Sequence, residues 1–214
     1  MKEIKLHNVV PEIFASRVDL RSDIWNREVV LERGKRYLIK AASGTGKSSL
    51  CSFLYGQRGD YSGTISFDDR DINRLSSSEW CEVRQRSISI LFQDLKLFGE
   101  LTAMQNVEIK NNITHHRDMA QVVQWFEELG IGDKINTRID RMSYGQQQRV
   151  ALIRALCQPF DFILLDEPIS HLDDANSDIM RDIILREAER CGAAIIATSI
   201  GKHMNIEYDI CLNL

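Results

Sequence analysis

The chain has 214 residues, with 27 Lys and Arg against 31 Asp and Glu and a formal net charge of −4. A hydrophobic fraction of 43% with 27% charged residues is typical of a soluble globular protein with one substantial core. This balance gives no reason to expect a nucleic acid partner, which needs a basic surface, and no apolar run approaches the roughly 20 residues of a membrane-spanning helix.

The predicted elements alternate between strands and helices. Strands are expected at 1–10, 24–31, 37–39, 63–67, 87–92, 160–165, 193–198 and 208–212, and helices at 118–129, 143–157 and 174–190. A capping box at Ser76 and Glu79 predicts one further helix start. This alternation favours an α/β fold with a mostly parallel sheet covered by helices.

The five cysteines are odd in number, scattered and without a C-x-x-C pair. This pattern excludes a disulfide framework or zinc site as the organising element and favours a reducing compartment, the cytosol. Cys157 and Cys211 lie in apolar contexts, so we expect both in the core.

A glycine-rich segment follows the strand predicted at 37–39. Its sequence is Ala41-Ala42-Ser43-Gly44-Thr45-Gly46-Lys47-Ser48. After a strand and before a helix, this pattern is typical of a phosphate-binding loop, because its amides and the helix N-terminus attract an anion. Lys47 would reach the β- and γ-phosphates, and the Ser48 hydroxyl would bind Mg²⁺. The alternative is a surface turn. Ala41 replaces the usual first Gly, which would cost roughly 1 kcal/mol if the position needs positive φ.

The apolar strand at 160–165 ends in two carboxylates, Asp166 and Glu167, followed by Pro168. Asp166, at the end of the strand, is placed to bind Mg²⁺ directly or through a coordinated water. Glu167, one residue on, could polarise a water for in-line attack. Alone, such a turn is typical of a solvated loop, but together with the phosphate-binding loop it indicates phosphate chemistry.

Between these two elements lies Met142-Ser143-Tyr144-Gly145-Gln146-Gln147-Gln148-Arg149. Here the sequence resembles the ATP-binding cassette family, whose signature is commonly Leu-Ser-Gly-Gly-Gln at the start of a helix. Ser143, Gly145 and Gln146 match, whereas Met142 replaces Leu and Tyr144 replaces the first Gly. Further matches are Gln93 as the Q-loop glutamine, Ser170-His171-Leu172-Asp173 as the D-loop, where Ala is commoner than His171, and Asp209 before the last strand.

The resemblance implies a three-layer P-loop sandwich with an N-terminal antiparallel β subdomain. The core would comprise residues 1–94 and 159–214, with an inserted helical subdomain at about 95–158. It also implies a head-to-tail dimer that encloses two ATP molecules with Mg²⁺ and closes when ATP binds. The partner would be a second copy of the chain or a second ATPase subunit.

The same resemblance implies a role for each matched residue. The nucleotide-binding set is Ser43, Gly44, Thr45, Gly46, Lys47, Ser48 and Ser49, with Ser143, Gly145 and Gln146 acting on the partner's ATP and Phe14 stacking on adenine. The metal set is Ser48, Gln93 and Asp166. The catalytic set is Glu167, Gln93 and Ser199.

Ser199 stands where the family usually has a histidine that contacts the γ-phosphate. A serine hydroxyl donates one hydrogen bond but carries no positive charge, so we expect a competent but slow ATPase or one that depends on a partner subunit. His203 could fold back toward the site; the alternative is an ordinary surface histidine.

We expect the chain to be the ATPase subunit of a transporter, peripheral on the cytoplasmic face and docked on integral membrane subunits. Leu95, Leu97, Phe98 and Leu101 are expected to expose apolar groups in the groove that receives those subunits; the alternative is packing within the helical region. Short chains of this kind resemble cassettes of lipoprotein-export, cell-division and macrolide-export systems.

Two other functions stay open. One is a soluble cytosolic cassette, for example in iron–sulfur assembly. The other is a slow, ATP-gated scaffold, which rests on Ala41 and Ser199. A GTPase or kinase is disfavoured because no Asn-Lys-x-Asp motif occurs.

Overall fold

The computed structural model describes residues 1–16, 21–42 and 44–214. The strands are β1 (Glu3–Pro11), β2 (Glu28–Glu32), β3 (Arg36–Lys40), β4 (Tyr61–Phe67), β5 (Arg70–Asp71), β6 (Ile88–Leu91), β7 (Phe162–Asp166), β8 (Ala194–Ser199) and β9 (Ile210–Asn213). The α-helices are α1 (Lys47–Leu54), α2 (Ser77–Arg86), α3 (Ala103–Thr114), α4 (Met119–Glu128), α5 (Tyr144–Leu156) and α6 (Asp174–Cys191). Short 3-10 helices cover Glu12–Phe14, Ile72–Arg74, Gly132–Lys134 and Ile139–Arg141.

The strands form two sheets. An antiparallel sheet has the order β2-β1-β4-β5, and a parallel sheet has the order β6-β7-β8-β3-β9. The parallel sheet needs helical crossovers between its strands, which the helices of the chain supply. The predicted α/β fold with an N-terminal antiparallel sheet is therefore confirmed.

Each face of the parallel sheet belongs to a different core. On β7, Phe162 and Leu164 pack in one cluster with α1 and the antiparallel sheet. Ile163 and Leu165 alternate to the other face, where the cluster contains the buried residues of α3, α4, α5 and α6. The helical region thus shares its core with the sheet instead of having a separate one, so its packing fixes α5 relative to β7.

Helix α3 and strand β2 are among the elements that differ from the sequence prediction. Helix α3 was not predicted, although Thr102 and Gln105 form a capping box at its start with the same spacing as the predicted box of α2, which is confirmed. Strand β2 begins at Glu28 and not at 24, because the Ser22 hydroxyl accepts hydrogen bonds from the amides of Ile24 and Trp25 and holds them in a turn.

The two cysteines expected in the core differ in burial. Cys157 is buried, as predicted, whereas Cys211 is exposed. Cys211 lies on β9, which pairs with β3 and, among the strands that the structure describes, forms one edge of the parallel sheet. In the described ranges, no helix combines the length and apolar character that crossing a membrane requires.

The loop between β6 and α3 is tied down by one buried amide. The Asn106 side chain accepts a hydrogen bond from the Phe98 amide and donates to the carbonyls of Phe98 and Thr102. Leu95 is buried in the core, so the expectation that it exposes an apolar group is wrong. Phe98 is 52% exposed, as predicted. Its backbone amide and carbonyl are bonded to the Asn106 side chain.

We predict that Asn106→Ala lowers the free energy of unfolding by about 2 kcal/mol, because the Phe98 amide loses its acceptor and the carbonyls of Phe98 and Thr102 each lose one of their donors. Urea denaturation measures this change. Asn112→Ala, an exposed site on the same helix, is the matched control and should change stability by less than about 0.5 kcal/mol. Equal effects of the two substitutions would contradict the role given to Asn106.

Candidate functional site

Three strands of the parallel sheet end at the same edge and carry the polar groups of the site. The loop after β3 leads into α1, β7 ends at Asp166, and β8 ends with Thr198 and Ser199. β8 lies between the other two strands, with Asp166 paired to Thr198 and Lys40 paired to Ser199. The carboxyl edge of a parallel sheet is the usual ligand site of this class of fold.

The glycine-rich loop has a conformation that depends on Gly46. Gly46 has φ of 101°, and a Cβ there would lie 3.0 Å from the Phe14 ring and 3.1 Å from the Trp25 ring. Both the backbone angle and the close approach therefore require glycine. The Trp25 indole N–H donates to the Thr45 carbonyl at 3.0 Å, and this hydrogen bond holds the loop in place. Ser43 lies outside the described residues.

Ala41 does not carry the strain expected at the start of this loop. It is absent from the described residues with positive φ, so the expected cost of about 1 kcal/mol does not arise there. Its amide donates to the Ser199 carbonyl at 3.1 Å. The first position of this loop needs no glycine in this chain.

Lys47 is a buried cation that faces the acidic end of β7. Its side chain is 5% exposed, and its ammonium lies 3.5 Å from a Glu167 carboxylate oxygen and 3.4 Å from the Ala42 carbonyl. Both separations are long for a charge-assisted hydrogen bond. The ammonium therefore has donors to offer to an anion that enters between the loop and Glu167.

Glu167 adopts a left-handed backbone conformation, with φ of 52°, which is unusual for a residue other than glycine. Four groups hold it there, one of which is the Gln148 side-chain amide that donates to its carbonyl. Its amide donates to the Thr198 hydroxyl, and its carbonyl accepts from the amide and the hydroxyl of Ser170. Strain that neighbouring groups fix in this way is common at functional sites. The alternation of strands and helices in the sequence could not reveal the left-handed conformation of Glu167.

Thr198 connects the two carboxylate residues and was missed in the sequence analysis. Its buried hydroxyl donates to Asp166 Oδ1 at 2.7 Å and accepts from the Glu167 amide at 3.2 Å. A β-branched residue at the end of a buried strand gives no sequence signal of this role. The hydroxyl fixes the orientation of the Asp166 carboxylate and the direction in which the chain leaves β7.

Two adjoining cavities meet at Ser48 and Gln93. The first, about 390 Å³, is lined by Phe14, Gly44, Gly46, Lys47, Ser49 and Glu167 among others. The second, about 490 Å³, adds Asp166, Asp94 and Tyr144. The structure thus brings together the loop, Gln93, Asp166 and Glu167, as the sequence predicted. Arg58, which donates to the Ser49 hydroxyl, also lines the first cavity and was not predicted.

Three other predicted residues lie on a different part of the surface. Ser143 caps α5 and forms a reciprocal capping box with Gln146. A Cβ on Gly145 would lie 3.4 Å from Leu172, so α5 packs closely on the segment before α6. None of the three is among the residues that line the two cavities. The structure therefore does not place these three residues with the loop, Gln93, Asp166 and Glu167.

Tyr144 does reach the second cavity. Its hydroxyl donates to the Gln93 carbonyl at 2.5 Å, and its ring packs edge-on against the His171 ring with centroids 4.6 Å apart. Burial, followed by the carboxylates of Asp94 and Glu167, raises the pKa of Tyr144, so the phenol stays a donor. Two of the residues that depart from the family pattern, Tyr144 and His171, therefore contact each other.

The remaining predicted side chains have defined partners. The Ser199 hydroxyl donates its single proton to the Lys202 carbonyl at 2.7 Å, so in this structure it does not point a donor at the cavity. His203 is exposed beside the Gly201 carbonyl. Phe14 is 5% exposed, and the neighbouring Ile13 presents more apolar surface to the first cavity. Adenine stacking by Phe14 stays a prediction.

Comparison with known proteins decides the family. A family model described as ABC transporter matches residues 26–170, which contain the glycine-rich loop, the α5 start and both carboxylates. The chain belongs to the ABC transporter family. It is an ATP-binding cassette, homologous to the ATP-binding subunits of transporters.

Curated relatives cover most of this cassette. It is 33% identical to the lipoprotein-releasing system ATP-binding protein LolD of Leptospira interrogans over 79% of this chain and 75% of that protein. It is 32% identical to the macrolide export ATP-binding/permease protein MacB of Vibrio parahaemolyticus over 78% of this chain. In the second case the match spans only 26% of the relative's length.

Solved structures show the same cassette fold. A dimeric bacterial ABC transporter cassette aligns with a TM-score of 0.79 at 24% identity, over 92% of this chain and 87% of that chain. A cassette dimer in a post-hydrolysis state with ADP and phosphate aligns with a TM-score of 0.77 at 23% identity, over the same shares of the two chains. At these identities the likeness establishes the fold.

We predict that Thr198→Val lowers the ATPase rate by about ten- to a hundredfold, since a hydrogen bond to a carboxylate contributes about 1.5–3 kcal/mol. Steady-state phosphate release with saturating ATP measures the effect. Thr198→Ser keeps the hydroxyl and should retain most of the rate. A valine variant as active as the serine variant would show that the hydroxyl does not matter.

We predict that Tyr144→Phe speeds amide hydrogen exchange in residues 93–96 by roughly fivefold, because about 1 kcal/mol of hydrogen bonding to the Gln93 carbonyl is lost. Tyr208→Phe is the matched control, since the Tyr208 hydroxyl has no hydrogen-bond partner among the described residues. Unchanged exchange in the Tyr144 variant would mean that this contact does not hold the segment.

Proposed function

We propose that this cassette hydrolyses ATP at the edge of its parallel sheet and drives separate membrane subunits of a transporter. The observation that carries the proposal is the opposition of Lys47 and Glu167 across one cavity, with Asp166 in the adjoining one. Lys47 and the amides of residues 44–48 bind the phosphates, whose negative charge replaces the long contact of Lys47 with Glu167. Glu167 is then free to orient and polarise the attacking water.

The oxygen groups that meet in the second cavity fit a magnesium ion. Ser48, Gln93 and Asp166 offer a hydroxyl, an amide carbonyl and a carboxylate, which are the hard ligands that Mg²⁺ prefers. These residues, with Thr198 holding the Asp166 carboxylate, would hold the ion. Bound Mg²⁺ would neutralise charge that develops on the phosphates.

The exposed start of α5 completes a second site when two cassettes associate head to tail. Ser143, Gly145 and the helix N-terminus form an anion-attracting surface that does not line the cassette's own cavities. We infer that they close over ATP held by the partner cassette. The structural likeness to dimeric cassettes supports this arrangement, and the partner can be a second copy or a different ATPase subunit.

The membrane partner is inferred from the relatives. Curated relatives are named as ATP-binding proteins of lipoprotein release and of macrolide export, and the second joins its cassette to a permease in one chain. We propose that this cassette sits on the cytoplasmic face and docks on separate integral membrane subunits. The helical region at 95–158 is proposed to carry both the docking surface and the α5 start.

We predict that Glu167→Gln lowers phosphate release more than a hundredfold, while ATP binding persists and ATP-dependent dimers accumulate, because the amide cannot polarise water as the carboxylate does. Lys47→Ala should abolish ATP binding as well. Light scattering with and without ATP, together with phosphate release, separates the two variants.

Lys40→Ala, an exposed change at the end of β3, is the control and should leave both readouts within twofold. If wild-type protein binds ATP tightly but shows no turnover that depends on Glu167, the ATP-gated scaffold becomes the better proposal.

The transporter role has its own test. We expect the tagged Glu167→Gln chain, extracted with mild detergent in the presence of ATP, to co-purify from membranes with a protein of several membrane spans. A homodimer found only in the cytosolic fraction, without such a partner, would favour the soluble cassette instead.

A further inference from the structure

The first cavity of the site contains a second cation to which the proposed reaction gives no role. Arg58 lines this cavity together with Lys47, and Glu167 is the one carboxylate among its described lining residues. Lys47 faces Glu167, whereas Arg58 donates to the Ser49 hydroxyl at 3.0 Å. The two cations therefore lie at different parts of one cavity.

The Arg58 guanidinium is held in one orientation by Asp60. Its Nε donates to Asp60 Oδ1 at 2.8 Å, and its Nη2 donates to Asp60 Oδ2. This bidentate contact uses one side of the planar group and leaves Nη1 on the other side, where it donates to Ser49. Three of the five guanidinium N–H groups thus have partners among the described residues, and two are available to a ligand.

Buried aromatic rings support both Arg58 and the phosphate-binding loop. The guanidinium lies 5.5 Å from the centroid of the buried Phe53 ring. Phe53 packs edge-on against Trp25, with ring centroids 6.4 Å apart, and Trp25 donates to the Thr45 carbonyl of the loop. Since the two elements pack on the same rings, the core sets the position of Arg58 relative to the loop.

The contacts along the cavity indicate which part of a nucleotide Arg58 meets. In the proposed site, Lys47 reaches the β- and γ-phosphates, and the amides of the loop and of the helix start hold the α- and β-phosphates. Ser49 lies two residues beyond Lys47 on α1, away from the Glu167 contact. The exposed Ile13 lines the same cavity and offers an apolar surface to the base. Arg58, bonded to Ser49, is therefore matched to the α-phosphate.

We propose that Arg58 binds the α-phosphate of the nucleotide and that Asp60 orients it for this contact. The available N–H groups of Arg58 donate to a non-bridging α-phosphate oxygen while the bidentate contact with Asp60 persists. Arginine suits this position because its planar group can bond a carboxylate on one side and a phosphate on another. This inference rests on the proposed ATPase function and adds a residue that sets nucleotide affinity without acting on the γ-phosphate.

Nucleotide binding by variants of the full chain tests the inference. Arg58→Ala should weaken the binding of ATP and of ADP about tenfold each, measured by titration calorimetry, because both carry the α-phosphate and hydrogen bonds to charged groups are strong. Phosphate release at saturating ATP should stay within threefold, so that the change falls on KM and not on kcat.

Arg70→Ala is the matched control. It removes an exposed arginine that is also paired with a carboxylate, that of Glu79, but that lines neither nucleotide cavity. Both dissociation constants should stay within twofold of the wild-type values.

Phosphorothioate nucleotides locate the contact. The two diastereomers of ATPαS carry sulfur, a weaker hydrogen-bond acceptor than oxygen, at one or the other non-bridging α-position. Because Arg58 donates to one of these positions, Arg58→Ala should change the ratio of the Rp and Sp dissociation constants at least threefold. The same ratio for ATPβS should not change. A merely structural role of Arg58 would weaken all analogues alike and leave both ratios as they are.

Arg58→Lys provides the same test should Arg58→Ala fail to fold, as judged by circular dichroism. The lysine keeps the positive charge but lacks the planar group that bonds Asp60 and a phosphate together. It should therefore bind ATP more weakly than the wild-type chain and shift the same ATPαS ratio.

The failures are distinct. Wild-type affinity in the folded Arg58 variants, or an unchanged ATPαS ratio, would overturn the inference, while phosphate release that depends on Glu167 would leave the ATPase function in place. A loss of affinity that differs between ATP and GTP, with an unchanged ratio, would assign Arg58 to the base and overturn it as well. If the wild-type chain binds no ATP, the proposed function fails, and this inference with it.

Discussion

The site depends on a single buried hydroxyl at the end of a central strand. Thr198 lies on β8, between the strand that leads to the phosphate-binding loop and the strand that ends in the carboxylates. It donates to the Asp166 carboxylate, which lines a cavity with Ser48 and Gln93, and accepts from the amide of Glu167, whose carboxylate faces Lys47. The parallel sheet places these groups at one edge, because parallel strands have their carboxyl ends on the same side.

Opposite charge and backbone strain meet at Glu167. Its left-handed φ costs about 1–3 kcal/mol and is held by Ser170 and Thr198. Its carboxylate faces a buried ammonium that lacks short hydrogen bonds. A buried cation needs compensation, and the phosphate groups of ATP supply it in the proposed function. Binding and the orientation of the attacking water are thereby linked through Lys47 and Glu167.

The positions where this chain departs from the family pattern are not independent of one another. Tyr144 and His171 replace small residues in two different motifs, and their rings pack against each other while the Tyr144 hydroxyl holds Gln93. Ala41 fits because the position lacks positive φ. Ser199 donates within its own loop, so nothing in this structure replaces the usual histidine directly.

Sequence alone determined the α/β class and the strands that end at the site. Local patterns of spacing and hydrophobicity predicted Lys47, Ser48, Asp166 and Glu167 as site residues, whereas Gln93 was predicted from the resemblance to the family. The sequence was wrong on Leu95 and Cys211 and silent on α3, Thr198 and Arg58. Burial of Leu95 depends on how a loop folds over α5, and exposure of Cys211 depends on β9 being an edge strand. Only the tertiary structure decides such features, because they arise where residues distant in the sequence meet, and local periodicity carries no information about those contacts.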